Sequence, residues 1–195
     1  MKAILNIVID ISGSMNEMGK IHLQRNLCRY VAQLQLIEPE KYANFNIHFY
    51  QWAQDVSQIT VQSDGDIPAI YTEGTASLDV LVDFLFRNLS ITQRALLLVI
   101  SDGHFTKTDI LNFQSQLSSL ADLNIRTVAV GADADLLKLK KISSNNSVYL
   151  SENIASAIDS TIFGSDEPLM APVSTAQILQ SSPAETEELE EDWDA

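Results

Sequence analysis

The chain has 195 residues, 46% hydrophobic and 19% charged. That exceeds the ~150 residues that serve as a soft guide to one domain, and it is too apolar for a disordered solvating chain. The net charge of −14 is unevenly placed: residues 164–195 hold nine acids and no Lys or Arg, leaving seventeen acids against twelve bases before them. No cluster of Lys and Arg supplies the basic face that phosphate binding needs, so a nucleic-acid partner is excluded. The single Cys28 makes neither an intrachain disulfide nor a zinc site, and its place on the inner edge of a helical pattern reads as a small buried hydrophobe. No stretch reaches the ~18 apolar residues of a membrane span. The apolar start Met1–Leu5 is interrupted by Asn6 and Asp10 and lacks a cleavage site, so the expectation is a cytoplasmic protein with no membrane partner.

Along the chain, Ala3 to Ile9 is a nearly continuous apolar run, the mark of a strand buried on both faces. A polar loop follows, and Leu23, Leu27, Tyr30, Val31 and Leu34 then recur at helical spacing from about Lys20, stopped by Pro39. Phe45–Tyr50 and Val56–Val61 read as strands, joined by so short a link that a hairpin with an edge strand is the economical connection. Leu78, Leu81, Val82, Leu85 and Leu89 mark a second helix, and Ala95–Ile100 is the most apolar and therefore most central strand. Thr106 and Asp109 form a capping box for a third helix carrying Ile110, Phe113, Leu117 and Leu120. Arg126–Val130 is a buried strand, Leu136 and Leu137 begin a short helix, Val148–Leu150 is a last strand, and Ser151 caps a final helix through Ile162.

Strands alternating with amphipathic helices predict an α/β fold: a doubly wound, mostly parallel sheet with one antiparallel edge strand and helices on both faces. It spans residues 1–163. From Gly164 to Ala195 the periodicity stops, Pro and Ser accumulate, and the acids cluster around Leu189 and Trp193, so this tail is expected to be disordered by itself.

Ligands of such sheets bind beyond the carboxyl ends of the strands. Three segments there carry oxygen: Asp10-Ile11-Ser12-Gly13-Ser14, Glu73-Gly74-Thr75 and Ser101-Asp102-Gly103. Of these, two carboxylates (Asp10 and Asp102) and three hydroxyls (Ser12, Ser14 and Thr75), without a ligating His or Cys, suit a hard cation. Magnesium takes about six oxygens at ~2.0–2.1 Å and needs only one or two protein carboxylates. The alternate spacing at 10, 12 and 14 lets an extended loop aim side chains at one point.

Asp10-x-Ser12-x-Ser14, Gly74-Thr75 and Ser101-Asp102-Gly103, in this order and context, resemble the metal-ion-dependent adhesion site (MIDAS) of von Willebrand factor A domains. The similarity covers roughly residues 1–163 and includes the hairpin edge strand. It implies that Ser12 and Ser14 bind Mg2+ (or Mn2+) directly, that Thr75 and Asp102 exchange between direct and water-mediated coordination, and that Asp10 acts through water and anchors the loop. It implies recognition without turnover, the ion accepting a Glu or Asp from a partner protein. The small stand-alone form looks most like bacterial tellurite-resistance-type A-domain proteins, associated with kinase and phosphatase partners in signalling or stress systems.

Around that core, Met15, Gly74 and His104 are candidates for a rim that touches the partner. Thr72 competes with Thr75, which is preferred because Gly74 precedes it and a helix follows. Asp133 and Asp135 read as a loop and a helix start, and His22 and His48 as surface or strand residues. Two rival functions remain. A Mg2+-dependent phosphatase of the haloacid-dehalogenase class also places an Asp after its first strand, but it needs an acid two residues later as proton donor, where this chain has Ser12. The acidic tail offers the other: Leu189 and Trp193 on one face of a short helix suit a basic, apolar groove, and the tail's carboxylates also suit a metal site, its own or a neighbour's.

Overall fold

In the computed structural model of the chain, residues 2–88, 95–118, 120 and 122–164 are described. The first apolar run forms β1 (Ala3–Asp10), whose last six residues are buried. A 3-10 turn over Gly13–Gly19 leads into α1 (Lys20–Ile37). The hairpin follows as β2 (Phe45–Trp52) and β3 (Val56–Ile59), then α2 (Leu78–Asn88) and β4 (Ala95–Ser101). The chain continues through α3 (Lys107–Leu117), β5 (Leu123–Ala129), α4 (Leu136–Ile142), β6 (Tyr149–Leu150), a 3-10 turn at Ser151–Asn153 and α5 (Ile154–Phe163).

The six strands form one sheet in the order β3-β2-β1-β4-β5-β6. All neighbours are parallel except the β2–β3 hairpin, which places the antiparallel strand at the edge. β4 is buried at every residue because it lies mid-sheet, paired with β1 from Leu5↔Leu96 to Ile9↔Ile100. Alternation along the two central strands feeds two cores. Leu5, Ile7, Ile9, Leu96, Leu98 and Ile100 pack with Leu27 and Val31 of α1 and Ile158 of α5. Val8, Leu97 and Val99 point the other way, onto Leu81 and Leu85 of α2, Phe113 of α3 and Leu139 of α4. Helices therefore cover both faces, as the continuous apolar strands require. The chain runs outward from β1 to β3 and then returns to β4 on β1's other side, so the β1–β4 seam is the topological switch point where such sheets bind ligands.

Several local expectations need correction. Ser151 does not cap the last helix: its hydroxyl contacts Glu152, and α5 begins after Asn153 without a side-chain cap. Leu23 and Tyr30 lie on the outer edges of α1, 37% and 44% exposed. The buried stripe is instead Lys20, Ile21, Gln24, Leu27, Cys28 and Val31, so the helix is rolled toward its polar members. The third helix stops at Leu117, short of Leu120, while β3 ends at Ile59 and β5 begins at Leu123. The capping box at Thr106 and Asp109 is present in both directions. Leu89 and the tail from residue 165 lie outside the described residues.

Candidate metal site

Three loops meet at the carboxyl end of the β1–β4 seam. β1 ends on Asp10, buried to 1% exposure, which accepts the Ser12 N–H at 2.8 Å through Oδ1 and the Ser101 hydroxyl at 2.7 Å through Oδ2. Ser101 Oγ in turn accepts the Gly103 N–H at 3.0 Å. Asp10 thus ties the β1 loop to the β4 loop. Its burial raises the carboxyl pKa above the ordinary value, and the hydrogen bonds from Ser12 and Ser101 oppose that without cancelling it.

Past Asp10 the chain turns so that Ser12 and Ser14 present their hydroxyls together, 3.2 Å apart. Ser14 also lies near enough to the Asp102 carboxylate to favour its charged form. Adjacent oxygens around an octahedral ion at Mg–O distances of ~2.0–2.1 Å stand about 3 Å apart. The serine pair therefore fits a magnesium-sized ion in spacing, and the pair with Asp102 fits it in donor type. The Gly74 segment lies against the same loop: Gly74 C=O accepts the Gly13 N–H at 3.0 Å, and Ile11 C=O accepts the Glu73 N–H at 2.7 Å. Gly74 needs its left-handed φ of +55° to make this approach, and a Cβ there would press on the Gln54 side chain. Thr75 follows it, exposed, with no hydrogen bond among the described residues to fix its hydroxyl.

Asp102 is fully buried. Its Oδ2 accepts from Lys20 Nζ at 3.0 Å and lies 2.9 Å from His104 Nδ1, while Oδ1 faces the His104 N–H at 3.3 Å. Burial works against its ionisation, but Ser14, Lys20 and His104 outweigh it and hold the carboxyl below its ordinary pKa. Asp102, His104 and Asp133 bring one potential ligand atom each to within 4.8 Å of one another. Of the residues expected at a partner-binding rim, His104 is about half exposed. The expectation fails for Met15, which is fully buried in the core under α1 and α5. The turn breaks at Glu17 and Met18, whose backbone is non-helical, and that leaves Met18 84% exposed.

Lys20 is the residue that sequence reasoning missed. It opens α1 after Gly19 in the left-handed conformation and is 1% exposed. Its ammonium also meets Asp133 Oδ2 at 2.6 Å. Burial disfavours the charge, yet the two aspartates raise its pKa above the ordinary lysine value. The available signal was the spacing 20, 24, 27/28, 31, which continues the apolar stripe of α1 through two polar residues.

A mostly parallel sheet in this order, with one antiparallel edge strand and helices on both faces, is the arrangement of von Willebrand factor A-type folds. Solved structures agree. VWA2, the ArnB paralog of Sulfolobus acidocaldarius, superposes at TM-score 0.61 with 16% identity, over 83% of this chain and 46% of that one. Proximal thread matrix protein 1 of the mussel byssus, solved with a zinc-occupied MIDAS motif, gives 0.59 at 13% identity, over 80% and 45%. A von Willebrand factor type A structure from Catenulispora acidiphila gives 0.54 at 13%, over 80% and 40%. The chain thus spans less than half of each of these three. No protein-family model matches the sequence, and no curated protein matches it. The chain has the von Willebrand factor A fold, and its central seam carries the hydroxyl and carboxylate donors described above.

Proposed function

We propose that this chain is a non-enzymatic recognition module that captures a Glu or Asp of a partner protein through Mg2+, or Mn2+, held by Ser12, Ser14, Thr75 and Asp102, with Asp10 as anchor. The carrying observation is that the Ser12 and Ser14 hydroxyls lie 3.2 Å apart, with Ser14 beside the Asp102 carboxylate. The zinc-occupied MIDAS motif of the mussel protein, which shares the fold, supports a metal role for the site. When bound, the ion supplies an open position that a carboxylate fills. Gly74 and His104 border that opening.

The chemistry of the residues favours binding over turnover. A phosphatase nucleophile at position 10 has to reach its substrate, and Asp10 is 1% exposed with both oxygens accepting hydrogen bonds. The proton donor expected two residues later is replaced by Ser12. His104 is committed to Asp102. No helix among the described residues is long and apolar enough to cross a membrane. In the bacterial signalling, stress-response or complex-assembly setting this reading implies, a kinase or phosphatase of the same system is the partner sought.

The test is capture of partners from the native cell by wild type and Asp10→Ala, each in Mg2+ and in EDTA. The reading predicts a protein held only by wild type in Mg2+. A set of partners unchanged by chelation and by the substitution contradicts it.

A further inference from the structure

The Asp102, His104 and Asp133 cluster has the make-up of a cation site, and a cation already stands in it. Lys20 Nζ lies 3.0 Å from Asp102 Oδ2 and 2.6 Å from Asp133 Oδ2, on a side chain that is 1% exposed. The slot for that side chain is built in. At Gly131, with φ of +93°, a Cβ would come within 2.9 Å of Lys20 Cε and 2.7 Å of Asp133 Oδ1. Only a glycine leaves room for the lysine stem and the aspartate together. The β5–α4 loop carrying Asp133 is pinned to the β4 loop by Asp135 N–H to Asp102 C=O at 2.8 Å, so the ammonium is held at a fixed distance from the metal-site carboxylate.

We propose that Lys20 is a built-in second cation that weakens the protein's own hold on its divalent ion and makes retention of that ion depend on the partner's carboxylate. The proposal rests on the metal-site reading of Ser12, Ser14 and Asp102. An ion placed there draws on Asp102, whose negative charge is shared in advance with the ammonium. Two positive groups then lie against two buried carboxylates, Asp10 and Asp102, with Asp133 at the surface. Counting Asp133, three carboxylates balance the ion and the ammonium, whereas without Lys20 the site would keep one surplus negative charge. The ammonium removes that extra pull on the ion and with it a barrier to an incoming anion. Asp133 divides the ammonium between two acceptors and so moderates its claim on Asp102. Lys20 is on this account a positioning residue that touches Asp102 and need not touch the ion.

The experiment is Mn2+ binding to the full chain, read by electron paramagnetic resonance, with and without 50 mM acetate as the carboxylate. Lys20→Met should bind Mn2+ at least tenfold more tightly than wild type, and acetate should improve its affinity less. Lys107→Met, which removes the same charge from an exposed position, should stay within twofold of wild type. Equal Mn2+ affinity in wild type and Lys20→Met overturns the proposal while leaving the metal site standing. Absence of Mn2+ binding in every protein overturns the metal-site reading and this proposal with it. Should Lys20→Met fail to fold, Asp133→Asn decides. It hands the whole ammonium to Asp102, so it should weaken Mn2+ binding at least threefold more than the charge-matched Asp135→Asn, and equal effects overturn the proposal.

Discussion

Leu98 and Asp102 are four residues apart, and both are fully buried, yet they do opposite things for the molecule. Leu98 sits mid-strand among Ile7, Ile100 and the α1 and α5 side chains, where burial itself is the stabilising event. At the carboxyl end of the same strand, burial falls on a carboxylate that has to be compensated by Ser14, Lys20 and His104. β1 repeats the pattern, with Ile7 and Ile9 inside and Asp10 at the rim. The strands gain their stability in the middle and present their chemistry in the last residue and the loop beyond it.

Substitutions sharpen the contrast. The largest effect is expected in the strand interior: Leu98→Ala should lower stability by about 3–4 kcal/mol through lost burial and an unfilled cavity, in the presence or absence of Mg2+. A loss below about 1 kcal/mol by denaturant unfolding would break the comparison, because it would mean the seam is not the packed centre of the sheet. Asp102→Ala should come next, at about 3 kcal/mol, because it strips a buried ammonium of one of its two acceptors. The cost should fall when Lys20→Met is added, a coupling that a double-mutant cycle measures.

Acidity probes the same pair from the side of the proton. The folded-state pKa of Asp102 is lowered, so its contribution is present above the unfolded-state value of about 3.8 and is lost as pH falls through the folded value. Asp10 has the opposite sign. Its pKa is raised, so its contribution is greatest below the unfolded-state value and lost as pH rises through the folded one. Asp10→Asn in metal-free buffer at neutral pH should therefore leave stability unchanged or slightly higher, within about 1 kcal/mol. Thermal melts of both proteins in EDTA supply the check, and a large destabilisation by Asp10→Asn would show that the charge on Asp10 holds the fold as well as the loop.

The fold was legible in the sequence because its strands are unusually plain. Ala95–Ile100 has no polar residue and nowhere to lie except mid-sheet, and the link from Gln51 to Asp55 is too short for anything but a hairpin. That Asp10, Ser12, Ser14 and Asp102 lie near one another was legible for a related reason: they stand at or just past the ends of the strands that define the switch point. Lys20 and Asp133 were not, because they are 113 residues apart and meet only through the pinning of the β5–α4 loop. Lys20 was also hidden by attention to apolar residues alone, since the stripe that buries Leu27 and Cys28 contains Lys20 and Gln24. Met15 was misplaced because a turn with a non-helical break at Glu17 and Met18 has no periodicity from which to read an inward face.

The cation site itself is tested most directly by a crystal of the full chain grown with Mn2+ and examined by anomalous scattering. The account predicts one ion per chain at the β1–β4 seam, in contact with oxygens of Ser12 and Ser14 and approached by Asp102, with Lys20 still seated against Asp133. An ion bound instead by His104 and Asp133 with Lys20 expelled, or no ion at the seam at saturating Mn2+, would contradict it.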